Sequence, residues 1–249
     1  VLDEAYGNVR IGIMVLFAAL SGSMIVGIVR AGIENHWGIE VFSKVSLVIS
    51  ISNMATRCIN AISIVMFPTL RKQKKENLSD IYLKMNTWLM TVIFIGLIFY
   101  MPIATLICMW LPQYADSIKY AVILLPVCTY ECKNAMLVTT YLKTLRKEKV
   151  LLISNVVAIV FSFCGMEITV YAMDNLELAV AVILGALILR CVIGEFSIGK
   201  ELKLVLMNVA FEEMCMVAIF IVCNWWLGTT GVTIYAALVG IYIWRKRKI

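Results

Sequence analysis

Apolar residues in this chain come in long runs separated by short charged connections. The runs last about 20 residues, the length an α-helix needs to cross roughly 30 Å of hydrocarbon. Eight are readable, over about 11–30, 41–67, 86–110, 118–141, 150–172, 176–194, 203–223 and 227–244. Pro102 lies inside the third and predicts a kink there, since proline cannot donate to the helical ladder. The stretch AGIENHWGIE (31–40) reads as a connection that places His36 and Trp37 at headgroup level. The pattern predicts an all-α polytopic membrane protein. Six helices form one bundle within residues 1–200, and two more helices and a basic tail follow in 201–249.

Polar positions inside the runs are placed in order rather than scattered. In the second run Ser46, Ser50, Asn53, Arg57 and Asn60 follow one another at spacings of four, three, four and three. That spacing is one face of a helix. Such a stripe faces a neighbouring helix or a water-filled cavity, because a charged side chain at the bilayer centre costs at least ~2.5–3.5 kcal/mol. Arg57 therefore has two readings, a cavity-facing cation for a negatively charged cargo or a structural ion pair with Glu131 or Glu212. In the fourth run Glu131 and Lys133 point about 200° apart at 100° per residue, so they serve different faces. Asn208 and Glu212 are four apart in the seventh run, with Glu213 about 100° further round. Ser21-Gly22-Ser23 in the first run is a small-residue patch suited to close helix contact, and Arg30 ends that run.

The charged connections give an orientation. Alternate ones carry Arg10; then Arg71, Lys72, Lys74, Lys75 and Lys84; then Lys143, Arg146, Lys147 and Lys149; then Arg190, Lys200 and Lys203; and finally Arg245, Lys246, Arg247 and Lys248. The opposite set holds Arg30, Lys44 and Lys119. By the positive-inside rule both ends of the segment are expected to be cytoplasmic. Composition agrees with the membrane reading: 62% of residues are hydrophobic and the mean hydropathy is +0.92. The net charge of +6 sits in these connections, so it does not argue for nucleic acid. The eight cysteines have no CxxC spacing and a single histidine for company, which supports neither a zinc site nor a disulfide framework. No Gly-rich phosphate loop, GxSxG or HExxH motif is present, so the expectation is transport without a cofactor rather than catalysis.

Several segments carry a resemblance: IVRAGIENHWGIEVFSKVSLVIS (28–50), MFPTLRK (66–72), LPQYADSIKYAVILLPVCTY (111–130) and YLKTLRKEK (141–149). In their order and spacing they resemble the second half of a bacterial polysaccharide (O-antigen type) flippase. That family is the polysaccharide-transporter branch of the multidrug/oligosaccharidyl-lipid/polysaccharide exporter superfamily. The resemblance spans roughly residues 5–200. It implies two pseudo-symmetric bundles around a central cavity with alternating access, so an N-terminal bundle is expected upstream of Val1. It implies a cargo of undecaprenyl-pyrophosphate-linked oligosaccharide, moved across the bacterial cytoplasmic membrane for surface polysaccharide biosynthesis. A polysaccharide polymerase is a further expected partner. The implied cavity is cationic. Arg57, with Asn53 and Asn60 beside it, and more weakly Arg30 and Lys133, are the candidates for the pyrophosphate or acidic sugars. Glu131 is a cavity candidate as well, and Glu131 and Glu212 are candidates for a coupling ion. Two alternatives stand beside this: an ion-coupled multidrug antiporter of the same superfamily, and a membrane-embedded enzyme of envelope glycans.

Overall fold

The computed structural model describes residues 2–73, 75–110, 112 and 117–246. Lys74, Arg247, Lys248 and most of the LPQYAD segment lie outside them. The described residues contain helices and connections, with no strand. The first helix, α1, runs over Leu2–Arg71 and is broken at one residue, Gly38 (φ 81°, ψ 179°). Its two arms are the first two expected spans. Residues 31–37 and 39–40 are helical, so the expected connection shrinks to a single glycine. The physical reason is local. Ala31, Ile33, Glu34, His36 and Trp37 are compatible with a helix, whereas that φ/ψ combination is essentially restricted to glycine.

Next come α2 (Lys75–Ile98) and the short α3 (Tyr100–Trp110). The break falls at Phe99, one turn before Pro102, rather than at the proline itself. Proline lacks the N–H that would meet the Ile98 carbonyl, and its ring crowds that carbonyl. Phe99 instead donates its N–H to the Gly96 carbonyl, as the last turn tightens. Helix α4 begins as Ser117–Lys133, passes through a π-helical turn at Asn134–Thr139 and closes with Thr140–Thr144. Helix α5 is Glu148–Met166 and ends in a second π turn at Glu167–Ala172. The chain then forms α6 (Leu176–Leu202), α7 (Leu206–Trp226) and α8 (Thr229–Lys246). Among the described residues, six helical stretches are long and apolar enough to cross a membrane, the first of them being Leu20–Leu70, which contains the Gly38 break. The protein is an all-α polytopic membrane protein.

Exposure along these helices inverts the soluble pattern. Val160, Phe196 and Phe211 are 56%, 64% and 67% exposed. Polar and charged side chains such as Asn86, Lys133, Ser154, Asn155, Glu195 and Glu213 are at most 2% exposed. A chain surrounded by lipid gains little from hiding apolar surface, so its helices associate through close packing and polar contacts. Glycines mark the closest approaches. A Cβ on Gly165 would come within 2.7 Å of Val182, and one on Gly22 within 3.2 Å of the Arg190 guanidinium. Within the Ser21-Gly22-Ser23 patch, Gly22 thus faces the tip of the Arg190 side chain from α6.

Contacts also sort the connections into two ends. At one end the Ser79 hydroxyl donates to the Leu202 carbonyl and Lys147 pairs with Glu201 at 2.6 Å. Glu212 pairs with Arg245 at 3.3 Å and Lys246 at 3.0 Å at the same end. At the other, His36 meets Asp174 at 2.8 Å and packs edge-on against Trp37 and Tyr171. There Lys119 pairs with Glu177 at 2.5 Å and lies over the Trp225 ring. The turn at 145–147, the α6–α7 connection and the end of α8 are therefore together, and they are the basic set read from the sequence. Two apolar clusters fill the interior. The one toward the basic end gathers Leu70, Leu78, Tyr82, Leu137, Tyr141, Ile198 and Leu206. The larger one includes Ile25, Val29, Phe94, Leu124, Ile183 and Phe220.

Candidate functional site: a polar cleft and a buried ion cluster

A cleft with a volume of about 710 Å³ lies between the two arms of α1, the second half of α4 and the middle of α6. The α1 arms contribute Gly22, Ser23, Arg30, Asn53, Thr56, Asn60 and Ser63. The face from Ile49 through Asn53, Thr56, Asn60 and Ser63 keeps helical spacing, so one side of the second arm forms a wall. Across from it α4 presents Glu131, Asn134, Thr139, Thr140 and Lys143. The π turn makes this possible: one extra residue in the turn re-aims the side chains after Lys133, and π-bulges recur at functional sites. Within it the Thr140 hydroxyl donates to the Ala135 carbonyl, and the Asn134 amide donates to the Thr139 hydroxyl at 3.5 Å.

Charge in the cleft is mostly positive. Arg30, Lys143 and Arg190 line it against one carboxylate, Glu131. Three cations against one anion leave two positive charges. The Arg190 guanidinium lies 3.9 Å from Glu131, a loose pair, and the residue is 5% exposed. Arg30 donates to the Ser46 hydroxyl at 2.9 Å and stacks over Phe42. Arg30 Nε, Arg190 Nε and Asn134 Oδ1 are buried with no hydrogen-bond partner in the protein. Buried polar atoms are normally satisfied, so these three are exceptions among the residues that line the cleft.

Lys133 lies elsewhere. It is 1% exposed and pairs with Glu195 at 2.6 Å and with Glu213 at closer range. The Tyr82 hydroxyl donates to Glu195 Oε1 at 2.8 Å, and Asn86 Nδ2 donates to Glu213 Oε1 at 2.7 Å. The cluster thus ties together α2, α4, α6 and α7. Glu131 and Lys133 do serve different faces, one the cleft and the other this cluster.

The expected site residues therefore divide. Arg30, Asn53, Asn60 and Glu131 line the cleft. Arg57 does not: it is exposed and stands outside the lining, about 60° round the helix from Asn60. It pairs with neither expected acid, since Glu131 faces Arg190 and Glu212 faces Arg245 and Lys246. Lys133 is engaged in the ion cluster rather than the cleft, and Glu212 ties α7 to α8 at the basic end. Glu195 was missed because the sixth run was ended near residue 194, and Arg190, just before that end, because it was counted with the basic connection that follows. Helix α6 extends to Leu202, which puts Arg190 at its middle. A signal for this exists in the sequence. Leu187, Cys191, Gly194, Ile198 and Leu202 continue the apolar period past Arg190, and all are buried.

These features define a multi-pass membrane protein with a polar, positively charged cleft between its helices. Comparison with known proteins adds no family to this: no protein-family model matches the chain, and neither does any curated protein or solved structure.

Proposed function

We propose that this chain forms the cargo-binding bundle of a transporter for an anionic, hydroxyl-rich lipid-linked substrate. It translocates undecaprenyl-pyrophosphate-linked oligosaccharide across the bacterial cytoplasmic membrane and is not an enzyme. The observation that carries it is a cleft lined by Arg30, Lys143 and Arg190 against one carboxylate, Glu131, together with Asn53, Asn60 and Asn134. Arginine suits a phosphate because its planar fork donates two parallel hydrogen bonds, and amides and hydroxyls suit sugar hydroxyls. A pyrophosphate with a glycan cannot cross hydrocarbon unaided, and a polar cleft among spanning helices lowers that barrier. The alternation of basic connections supports both ends of this segment being cytoplasmic. An antiporter for organic cations fits less well, since two surplus positive charges repel such a cargo.

Export of surface polysaccharide in cells tests the reading, using the full-length protein and the variant Arg190→Gln. Wild type is expected to restore export in a strain lacking the gene. Arg190→Gln is expected to fail while inserting in the membrane at wild-type levels. Normal export by that variant would overturn the cargo-cation role.

A further inference from the structure

Two carboxylates share a single ammonium in the interior. Lys133, Glu195 and Glu213 are 1%, 2% and 1% exposed, and Lys133 contacts both acids. With every group ionised the cluster carries one uncompensated negative charge, where an unpaired charge is most costly. Among the described residues no further cation pairs with it. The groups facing it are Tyr82 and Asn86 from α2, Tyr130 from α4, Cys191 from α6 and Tyr242 from α8, all neutral in their ordinary state. Arg190, on the cleft side of α6, is matched by Glu131.

A second observation is independent of the charge count. Three buried polar atoms around the cluster have no hydrogen-bond partner in the protein: Asn86 Oδ1, the Tyr130 hydroxyl and the Tyr242 hydroxyl. Asn86 is 2% exposed and its amide already touches Glu213 through Nδ2. Turning that amide over exchanges its nitrogen and oxygen, two atoms of similar size, and aims an acceptor at Glu213 Oε1, while Nδ2 takes the place where Oδ1 now has no partner. The site thus holds a ready acceptor for a hydroxyl that an ionised Glu213 does not possess.

We propose that the Lys133–Glu195–Glu213 cluster is a buried proton-binding site, in which Glu213 Oε1 carries the proton and donates it in a hydrogen bond to Asn86 Oδ1. Glu195 stays a carboxylate, held by Lys133 and the Tyr82 hydroxyl, and the cluster becomes neutral as a whole. The proton comes from water and returns to it, and no other bond changes. An alkali cation is the wrong occupant, because the Lys133 ammonium already stands between the carboxylates. This inference rests on the cluster alone and holds whatever cargo the cleft takes.

Infrared difference spectroscopy of the full chain in lipid nanodiscs tests it. At neutral pH the wild type should show the carbonyl stretch of a buried carboxylic acid, shifted to lower frequency in heavy water. Glu213→Gln should lose that band. Glu195→Gln should lose it as well, because the remaining Lys133–Glu213 pair is neutral without a proton. Two variants keep the test open if one fails to fold. Glu212→Gln, at the basic end, should keep the band. Absence of the band in wild type would overturn the proposal, as would its survival in both Glu213→Gln and Glu195→Gln. A band that sodium chloride abolishes, with potassium chloride at equal ionic strength leaving it intact, would replace the proton with sodium and equally overturn it.

Discussion

Removing Lys133 is the sharpest test of how this bundle is held together. In Lys133→Met the side-chain volume is nearly kept and the charge is lost. Glu195 and Glu213, each at most 2% exposed, then face one another without a cation. Breaking a buried pair by removing one partner costs about 3–5 kcal/mol, because the remaining charge is buried and uncompensated. Lys133 contacts two acids on two different helices, so the upper part of that range is expected. The triple variant Lys133→Met/Glu195→Gln/Glu213→Gln removes every charge, and replacing a whole buried ionic group is often close to neutral. Its stability should return to within about 2 kcal/mol of wild type. The assay is equilibrium unfolding in mixed micelles, where a loss of about 4 kcal/mol lowers the folded-to-unfolded ratio by roughly a thousandfold. A Lys133→Met variant that loses less than about 1 kcal/mol would refute the reasoning, since only solvent-exposed pairs are that weak.

Gly38→Ala should destabilise the fold by about 1–3 kcal/mol, because alanine has to adopt φ 81° and ψ 179° at the break in α1; the thermal unfolding midpoint reads this. Asn175→Ala should cost about 1 kcal/mol in the same measurement, since the Asn175 side chain caps α6 by accepting from the Leu178 N–H at 3.1 Å. Gly22→Leu should reduce surface-polysaccharide export as strongly as Arg190→Gln, with insertion unchanged, because the added side chain occupies the space beside the Arg190 guanidinium.

Most of the fold was legible because its signals are one-dimensional. Run length gives spans, and the alternation of Lys and Arg gives two ends, which contacts such as Ser79 with Leu202 and His36 with Asp174 join as expected. The Gly38 break was less legible. Helix-compatible residues on both sides hide a connection one residue long, and polarity at 34–36 suggested a loop. Pairing across helices was not legible at all. Glu213 and Lys133 are 80 residues apart in sequence, and nothing along the chain says which of several acids an ammonium will meet.

The two arginines show where that limit bites. Arg57 sits inside a span and looks more exceptional than Arg190, which stands near a basic stretch and invites the reading of a helix end. Position along a helix, however, does not decide what a charge faces. The cleft is bounded by the face through Asn53, Thr56 and Asn60, and Arg57 lies at the margin of that face. Arg190 lies on the buried face of α6 with Leu187, Cys191 and Gly194, and Gly22 leaves room for its guanidinium. The quantity that separates them is burial with unmet hydrogen-bonding capacity. Arg190 is 5% exposed with an unpartnered Nε, whereas Arg57 is exposed. Arg190 lines the cleft and Arg57 does not, so the proposed contact with an anionic cargo rests on Arg190 rather than on Arg57. Export should therefore withstand Arg57→Gln and fail with Arg190→Gln, and the reverse ranking in the same complementation assay would return the site to the margin of α1.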